Sequence, residues 1–530
     1  MKKIIALVML MQYAAQAQRI SYSLSEEFED VKKYTYEECF YKFDEDSYCD
    51  IYCRNGKSVT LQFFNKSFGK LLNQVEVPLP EELKDYSIWK FTKIKDRYFL
   101  LSHLYEKKHA TMLAYEFNPK TLSFAANPIK LIDTDNIGNY SYYKFDLSKD
   151  QKKVLIWFVG RHSKVNASKY KENISFNTYD ENLQKIYSGD IEMPYTDKDM
   201  NILDCKIDYK GDIYALISVF ENNATDGEQA APKADKNSMR FELLKVNQSK
   251  NDLSFIKIDL ESKYICQAKL IENPDKDIVI TGYYSNKRSE NKSFFAADKL
   301  GSHSADGIYF YKAVFDESNK LKDIVSSYTE FPLDMLTSGE SEKMKTKQLE
   351  KEAKGELEQN NLELREVIFN ADGSMTVVGE EYFYTESTYT ANNKQYTEYT
   401  YFYKDILIVK TDKNGKMLWH QKIKKYQSGS SKKALSFSRY DFNGESYFLY
   451  VNNEPDPELK NKIPEGKLNG SLLTVAKVDA KGQLSKELLY INDEEVELKP
   501  KYLENIEKGI LVERLSAGKK TSKILKLEFK

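Results

Sequence analysis

The sequence predicts an all-β protein: a β-propeller of about eight four-stranded antiparallel blades, seven being the alternative count, with one inserted charged helix. Three observations carry this. The first is a strand–turn–strand unit that recurs along all 530 residues. Its clearest copy, Asp405 to Ile423 (DILIVKTDKNGKMLWHQKI), runs from an apolar strand through the turn Asp412-Lys413-Asn414-Gly415 into a second strand. Related copies begin near Val59, Met112, Ile174, Phe241, Ile308 and Leu472, and a last one, Ile524 to Phe529, stops before its second strand. The second observation is another hairpin between these copies. It is clearest at Cys205–Phe220, Glu366–Tyr384 and Ser436–Val451, and weaker near Cys39–Cys53, Phe91–Tyr105, Tyr143–Gly160, Gln267–Tyr284 and Tyr502–Leu515. Its turns are rich in Asp, Asn, Gly and Lys, and Gly and Asn supply the positive φ that tight hairpins need. Two hairpins per unit, repeating at roughly 50–70 residues, describe a propeller blade. The third observation is closure. The last unit lacks its fourth strand, and the alternating run Ile20-Ser21-Tyr22-Ser23-Leu24-Ser25 can supply it. A ring closed in this way leaves no open edge.

Ahead of that run, residues 1–17 read as a secretory leader. Lys2 and Lys3 form the charged start, Ile4 to Met11 the apolar core, and Ala15-Gln16-Ala17 the cleavage site, leaving Gln18 as the first mature residue. No Cys follows the site, so no lipid anchor is expected, and no later stretch approaches the roughly 18 apolar residues of a membrane helix. Residues 18–530 then form one propeller domain, exported to the periplasm or the exterior, with association to the outer membrane through a partner. Lys2 and Lys3 leave with the leader, so the 79 basic residues fall to 77 against 81 acidic ones. That balance argues against nucleic acid. The 39 Tyr and 28 Phe suit strands and half-buried surfaces.

Five cysteines are few for an exported chain of this size. Cys39, Cys49 and Cys53 cluster, and a hairpin there lets Cys39 reach Cys53, or Cys49 in a shorter register. Cys205 and Cys266 sit near the starts of corresponding strands in neighbouring units. The spacing leaves a disulfide and free structural thiols both open, and an odd total leaves at least one thiol unpaired. With no C-x-x-C pair and no His nearby, no metal is expected.

Two stretches break the blade pattern. Ser338 to Asn361 (SGESEKMKTKQLEKEAKGELEQNN) is rich in helix formers, with Ser338 or Ser341 as cap. Met344, Leu349, Ala353 and Leu357 make only a narrow apolar stripe, which suits a surface helix or a projecting arm. Tyr382 to Tyr403 (YFYTESTYTANNKQYTEYTYFY) extends a blade hairpin well beyond its usual length. With the turn at Asn392-Asn393, Tyr382 faces Tyr403, Tyr384 faces Tyr401 and Tyr389 faces Tyr396. Strand parity puts Tyr382, Tyr384, Tyr401 and Tyr403 on one face and the Tyr389–Tyr396 pair on the other. Opposed aromatic pairs stiffen a ribbon by a few tenths to about 1 kcal/mol each. Exposed Tyr also gives large contact area at low entropic cost, which makes these six tyrosines the candidate partner-binding residues.

The Tyr-rich hairpin together with Tyr403 to Gln427 resembles uncharacterised exported propeller-like proteins of Bacteroidota. These carry a Tyr-rich arm, a D-I-[IL]-V-x-K strand, an x-D-G turn and a W-x-K-x-I-x-K-x-Q ending. Trp419, Ile423, Lys425 and Gln427 match; the turn reads Lys-Asn-Gly, and His420 and Tyr426 depart from the commonest residues. The resemblance covers about 45 residues and implies export and a propeller. It implies no activity, because the group has no catalytic motif to carry over.

Chemistry is thin elsewhere. The five histidines, His103, His109, His162, His303 and His420, form no H-E-x-x-H or H-x-H pattern. Gly-x-Ser-x-Gly and phosphate-binding glycine loops are missing. Turns such as Asp412 to Gly415 suit hairpin chemistry rather than calcium. No cofactor and no catalytic residue is therefore expected. The function expected is a non-enzymatic scaffold that binds another exported or envelope protein. The alternatives are a carbohydrate-processing hydrolase or lyase, or a sugar-binding module, with its site at the mouth of the central channel.

Overall fold

Burial decides which strands are loudest in the sequence. The segment Ser58–Asn65 is buried at every residue but the last, whereas its outer neighbour Leu71–Pro78 is mostly exposed. A strand covered on both faces reads as a continuous apolar run, and an edge strand reads as a polar alternation. The eight recurring copies seen in the sequence are the third strands of eight sheets, where both faces are covered.

The computed structural model describes residues 20–30, 36–54, 58–106, 109–135, 142–160, 171–196, 199–220, 239–248, 252–258, 263–286, 304–316, 320–391, 394–452, 459, 472–491, 497–516 and 520–530. It contains eight antiparallel sheets of four or five strands. Their first strands are Tyr36–Lys42, Ser87–Ile94, Tyr142–Leu147, Met200–Ile207, Tyr264–Glu272, Leu362–Phe369, Ser438–Phe442 and Glu504–Glu507, which begin blades 1 to 8 in chain order. First strands of neighbouring blades contact one another at the junctions of blades 3 and 4, 4 and 5, 5 and 6, and 8 and 1, so they are the innermost and line the channel. The count is eight; the alternative of seven is set aside.

The ring closes. In blade 8, Ile20–Leu24 pairs with Thr521–Phe529 as the outermost strand, from Ile20 opposite Phe529 to Leu24 opposite Leu525. Ser25 continues the contact, its N–H donating to the Ile524 carbonyl at 2.9 Å. Eight apolar clusters fill the eight spaces between blades. Blade 8 packs on blade 7 through Leu449, Leu473, Leu511 and Leu525, and on blade 1 through Tyr48, Phe64, Val512 and Ile524. Every blade thus buries both faces of its sheet, and the end strands are held by pairing as well as by packing.

Six of the eight innermost strands carry a bulge, at Glu37/Cys39, Ile88/Lys90, Ile202/Asp204, Ile265/Gln267, Leu364/Glu366 and Asn505/Glu507. A bulge bends its strand and re-aims the following side chain. At five of the six, those other than the Glu37/Cys39 bulge, that side chain reaches into the next blade. Lys90 lies 5.1 Å from the Phe145 ring. Asp204 accepts the Leu270 N–H at 3.2 Å, Gln267 donates to the Leu362 carbonyl at 3.1 Å, Glu366 pairs with Arg439 at 2.7 Å, and Glu507 pairs with Lys42 at 3.1 Å.

One bulge demands a glycine. Gly282 pairs with Ala268 beside the blade 5 bulge, and a Cβ there would lie 1.9 Å from the Gln267 carbonyl oxygen. Gly282→Ala is expected to cost about 1–3 kcal/mol through backbone displacement. Gly429→Ala, where the nearest atom would be 3.7 Å away, is expected to leave the thermal midpoint close to wild type. Parallel melts of the two variants check this.

The hairpin turns use the chemistry expected of them. Asp412 accepts the N–H groups of Asn414 and Lys416, both at 2.9 Å, and Gly415 takes φ +84°. Asp479 repeats the arrangement with Lys481 and Gln483.

The inserted helix is shorter than expected and has a companion. The span 338–361 contains a helix only over Glu342–Ala353, capped by Ser341, whose side chain accepts the Met344 N–H. Gly355, at φ +64°, ends it, with Glu356 N–H returning to the Lys351 carbonyl at 2.8 Å. Ahead of it lies a five-residue helix, Leu333–Thr337, whose Met335 and Leu336 are buried. The expectation missed this turn because its apolar residues look like the end of a strand.

Around the cysteines, Cys205 and Cys266 are free thiols, so no bridge joins blades 4 and 5. In blade 1, Cys39 stands opposite Ile51, Cys49 opposite Tyr41 and Cys53 opposite Tyr36. Cys49 is buried; the side chains of Cys39 and Cys53 lie outside the described residues. The leader, residues 1–17, and the Asn392-Asn393 turn lie outside them as well.

Candidate functional site

Antiparallel alternation sorts the connections between two faces of the ring. First-to-second and third-to-fourth turns fall on one face and are tight, as at Asp208–Asp212 and Asp412–Lys416. Second-to-third connections and the links between blades fall on the other. There the connections Phe220–Met239, Ser285–Gly307 and Tyr450–Leu472 are long. The Tyr-rich hairpin is the corresponding connection of blade 6, and the helix Glu342–Ala353 lies in the link leading into that blade. The unusual elements therefore share one face.

The arm is a continuation of two blade strands, Met375–Ala391 and Lys394–Thr411. Its register pairs Tyr382 with Tyr403, Tyr384 with Tyr401, Tyr389 with Tyr396 and Ala391 with Lys394. Residues 385–390 and 394–400 are exposed on both faces of the ribbon, so the arm stands clear of the ring. Aromatic contacts stiffen it throughout. Tyr382–Tyr403 and Phe383–Phe402 ring centroids are both 4.7 Å apart, Tyr389–Tyr396 5.6 Å and Tyr384–Tyr401 6.1 Å. Tyr399 joins the first face, 5.8 Å from Tyr384. The sequence reading overlooked Tyr399 and the Phe pair because it followed only directly opposed tyrosines.

Burial divides the six tyrosines singled out from the sequence. Tyr382 and Tyr403 are buried with Leu435 at the root, and Tyr384 and Tyr401 are half-buried against them. Tyr389 and Tyr396 are 45% and 42% exposed, and Tyr399 41%. The root pair anchors the arm, and the outer tyrosines are the accessible surface.

Below the root lies a buried ionic network absent from the sequence reading. Glu380 and Lys425 are both fully buried, with Nζ and Oε1 2.7 Å apart. Arg365 Nε donates to Glu380 Oε2 at 2.8 Å, and Ser436 Oγ donates to the same oxygen at 2.6 Å. Lys425 also donates to Gln427 at 2.8 Å, and Gln427 donates to the Val451 carbonyl at 2.6 Å. Arg365 lies 5.3 Å from the Tyr403 ring. Burial pushes the Tyr403 hydroxyl up to about 12, against the pull of Arg365. Burial also draws the Lys425 ammonium below its usual range, with Glu380 opposing. The signal for this network was present in the sequence, since Lys425 and Gln427 belong to the quoted ending motif. Trp419 of that motif donates to the Ala480 carbonyl at 3.1 Å, tying blade 6 to blade 7.

On the other side of the arm root a cleft of about 470 Å³ opens between the helices and the blade. Its floor holds Lys422 and Lys424 paired with Glu340 and Asp405 at 2.6–3.2 Å. Glu340 sits below its usual range: burial raises it, but the hydrogen bonds from Lys424 and Lys422 prevail. Strand alternation separates the two sites, with Glu380 in the buried network and the next residue, Glu381, in the cleft lining, opposite the bulged pair Lys404 and Asp405 of the partner strand.

At the channel, charges of the innermost strands are engaged between blades. Asp146 pairs with Lys206 at 2.8 Å, and Lys269 donates to the Arg365 carbonyl at 2.6 Å. Away from the channel, His420 of the outermost strand of blade 6 lies 3.5 Å from Asp334 of the short helix. Among the described residues no group of three His, Cys, Asp or Glu side chains is arranged to hold a metal ion, and no helix is long and apolar enough to cross a membrane.

No family model and no curated protein matches this sequence. Among solved structures, the chain is similar to prolyl oligopeptidase B from Galerina marginata, at 10% identity and TM-score 0.37, over 94% of this chain and 56% of that one. It is similar to a member of the DUF4221 family from Bacteroides vulgatus, at 9% identity and TM-score 0.30, over 89% and 99%. It is similar also to the β-propeller domain of the Trilobed protease from Pyrococcus furiosus, at 9% identity and TM-score 0.30, over 84% and 95%. The chain spans about half the length of the prolyl peptidases it matches, 55% and 56%. Likenesses this distant say nothing of activity. The propeller rests on the eight sheets and their closure.

Proposed function

We propose that this chain is an exported β-propeller scaffold that performs no chemistry of its own and holds another envelope protein by its Tyr-rich arm. The observation that carries this is the arm: a ribbon stiffened by stacked aromatics, rooted in buried charges, and bearing Tyr389, Tyr396 and Tyr399 exposed beyond the ring. Rigid aromatic anchors give contact area with little entropy to lose. Export rests on the leader and on the resemblance to exported Bacteroidota proteins. Two carboxylates of the innermost strands, Asp146 and Glu366, are held in ion pairs between blades with Lys206 and Arg439, which supports a structural over a carbohydrate-active role for them.

The test is affinity capture from the native envelope. The triple variant Tyr389→Ser/Tyr396→Ser/Tyr399→Ser is expected to lose the partner that wild type retains, since each aromatic anchor is worth about 2 kcal/mol or more where it is a hot spot. Its melting profile is expected to match wild type, because these residues lie outside the blade cores. Unchanged capture would remove the arm as the contact surface.

A further inference from the structure

We infer that the cleft between the helix Glu342–Ala353 and the root of the arm binds the primary ammonium group of a small polar amine. This site is separate from the outer arm surface and stands whether or not the arm holds a partner. A volume of about 470 Å³ suits a ligand the size of an amino sugar or a diamine. Charge accounting gives the ligand its sign. Of the four lysines in the lining, Lys425 is spent on Glu380, and Lys422 and Lys424 are spent on Glu340 and Asp405. Lys404 remains, against two further carboxylates in the lining, Glu358 and Glu381. It is a loose partner for Glu381, at 4.0 Å, with its ammonium 4.8 Å from the Phe383 ring and 5.7 Å from Tyr426.

The cleft therefore carries surplus acceptor capacity. The buried Oε1 of Gln348, also in the lining, has no hydrogen-bond partner among the described residues. Burial raises the Glu381 carboxyl above its usual range, Asp405 adds to the rise, and Lys404, Lys422 and Lys424 oppose it. A carboxylate that is buried and under-compensated gains most from a cationic donor. An ammonium placed between Glu381 and Gln348 supplies three N–H donors and the missing charge. The Tyr426 ring offers an apolar wall for the carbon skeleton. Strand alternation makes this possible, since it points Glu381 away from Glu380 and into the cleft, and the bulge of the facing strand sets Lys404 and Asp405 across from it.

Isothermal titration calorimetry on the full chain tests the proposal with paired probes: glucosamine against glucose, and cadaverine against 1,5-pentanediol. At least one amine is expected to bind, and its neutral isostere to bind about tenfold more weakly or not at all, the scale of one charge-assisted hydrogen bond. Glu381→Gln, nearly isosteric, is expected to erase the difference between amine and isostere while retaining the wild-type melting profile. Failure of both amines to bind, equal binding of amine and isostere, or an amine affinity unchanged in Glu381→Gln would each overturn the assignment. The wild-type isostere comparison keeps the test decisive even if the variant folds poorly. Loss of amine binding with intact partner capture, or the reverse, separates this site from the arm.

Discussion

Replacing Arg514 with Met is expected to destabilise the closed ring by about 3–5 kcal/mol, the scale of breaking a buried ion pair from one side. Arg514 sits in blade 8 and is only 7% exposed at its side chain. It reaches across the closing junction to Asp50 of blade 1 at 2.9 Å, to Gln62 at 2.5 Å, and to Asp30 at 3.1 Å. Its guanidinium also lies 4.6 Å from the Tyr52 ring and 4.9 Å from Phe28. Removing it strands Asp50, a fully buried carboxylate, with Tyr52 as its main side-chain donor at 2.7 Å.

The pH dependence gives this prediction a second reading. Burial already raises Asp50 above its usual range, with Arg514 the largest opposing influence. Without Arg514 the rise grows. The folded state then binds the Asp50 proton more tightly than the unfolded state does, so stability falls as pH rises above the unfolded value of about 3.9. The deficit of Arg514→Met is therefore expected to be largest near neutrality and to shrink on acidification. Asp50→Asn/Arg514→Met is expected to recover part of the loss at neutral pH. Thermal melts of wild type and both variants across pH measure it. A deficit independent of pH would mean that lost packing on Tyr52 and Phe28, not the stranded charge, sets the cost.

What the sequence disclosed follows from burial and repetition. Third strands such as Ser58–Asn65 and Gly307–Phe315 are covered on both faces, and their apolar runs recur often enough to count blades. The fourth strand of blade 8 was legible because an open edge at one terminus matched an alternating run at the other. The tyrosine register was legible because strand parity is rigid over so long a ribbon. The bulges were not. A single extra residue such as Arg365 or Leu203 leaves composition and alternation almost unchanged, yet it decides that Glu366 and Asp204 reach the next blade. The helix end at Gly355 was missed for the opposite reason: the charged residues after it still look helical, and only the left-handed glycine stops the chain. The pairing of Glu380 with Lys425 escaped notice because isolated charged residues in an alternating stretch are read as solvent-facing, whereas here they face each other, with Gln427 beside them, in the junction between blades 6 and 7.

That buried network carries the second large effect. Glu380→Leu is expected to destabilise the protein by about 3–5 kcal/mol, because it leaves Lys425 and Arg365 in the interior without their shared anion. Lys425→Met is expected to cost less, since Glu380 keeps Arg365 and the Ser436 hydroxyl. Glu380→Leu/Lys425→Met is expected to lie closer to wild type than Glu380→Leu alone, with Arg365 falling back on Glu363 at 3.1 Å. A double-mutant cycle of melts should then show a coupling of about 0.5–3 kcal/mol. The network also fixes where the arm leaves the ring. Ser436, held at φ +82°, donates its N–H to Gln427 at 2.7 Å, and Gln427 pairs with Tyr403 in the strand register. Faster hydrogen exchange at Ser436 and Tyr403 in Glu380→Leu, with the amides of blade 3 unchanged, is the expected local signature. Additive melts and an unaltered exchange pattern would show instead that Tyr382, Tyr403 and Leu435 seat the arm by packing alone.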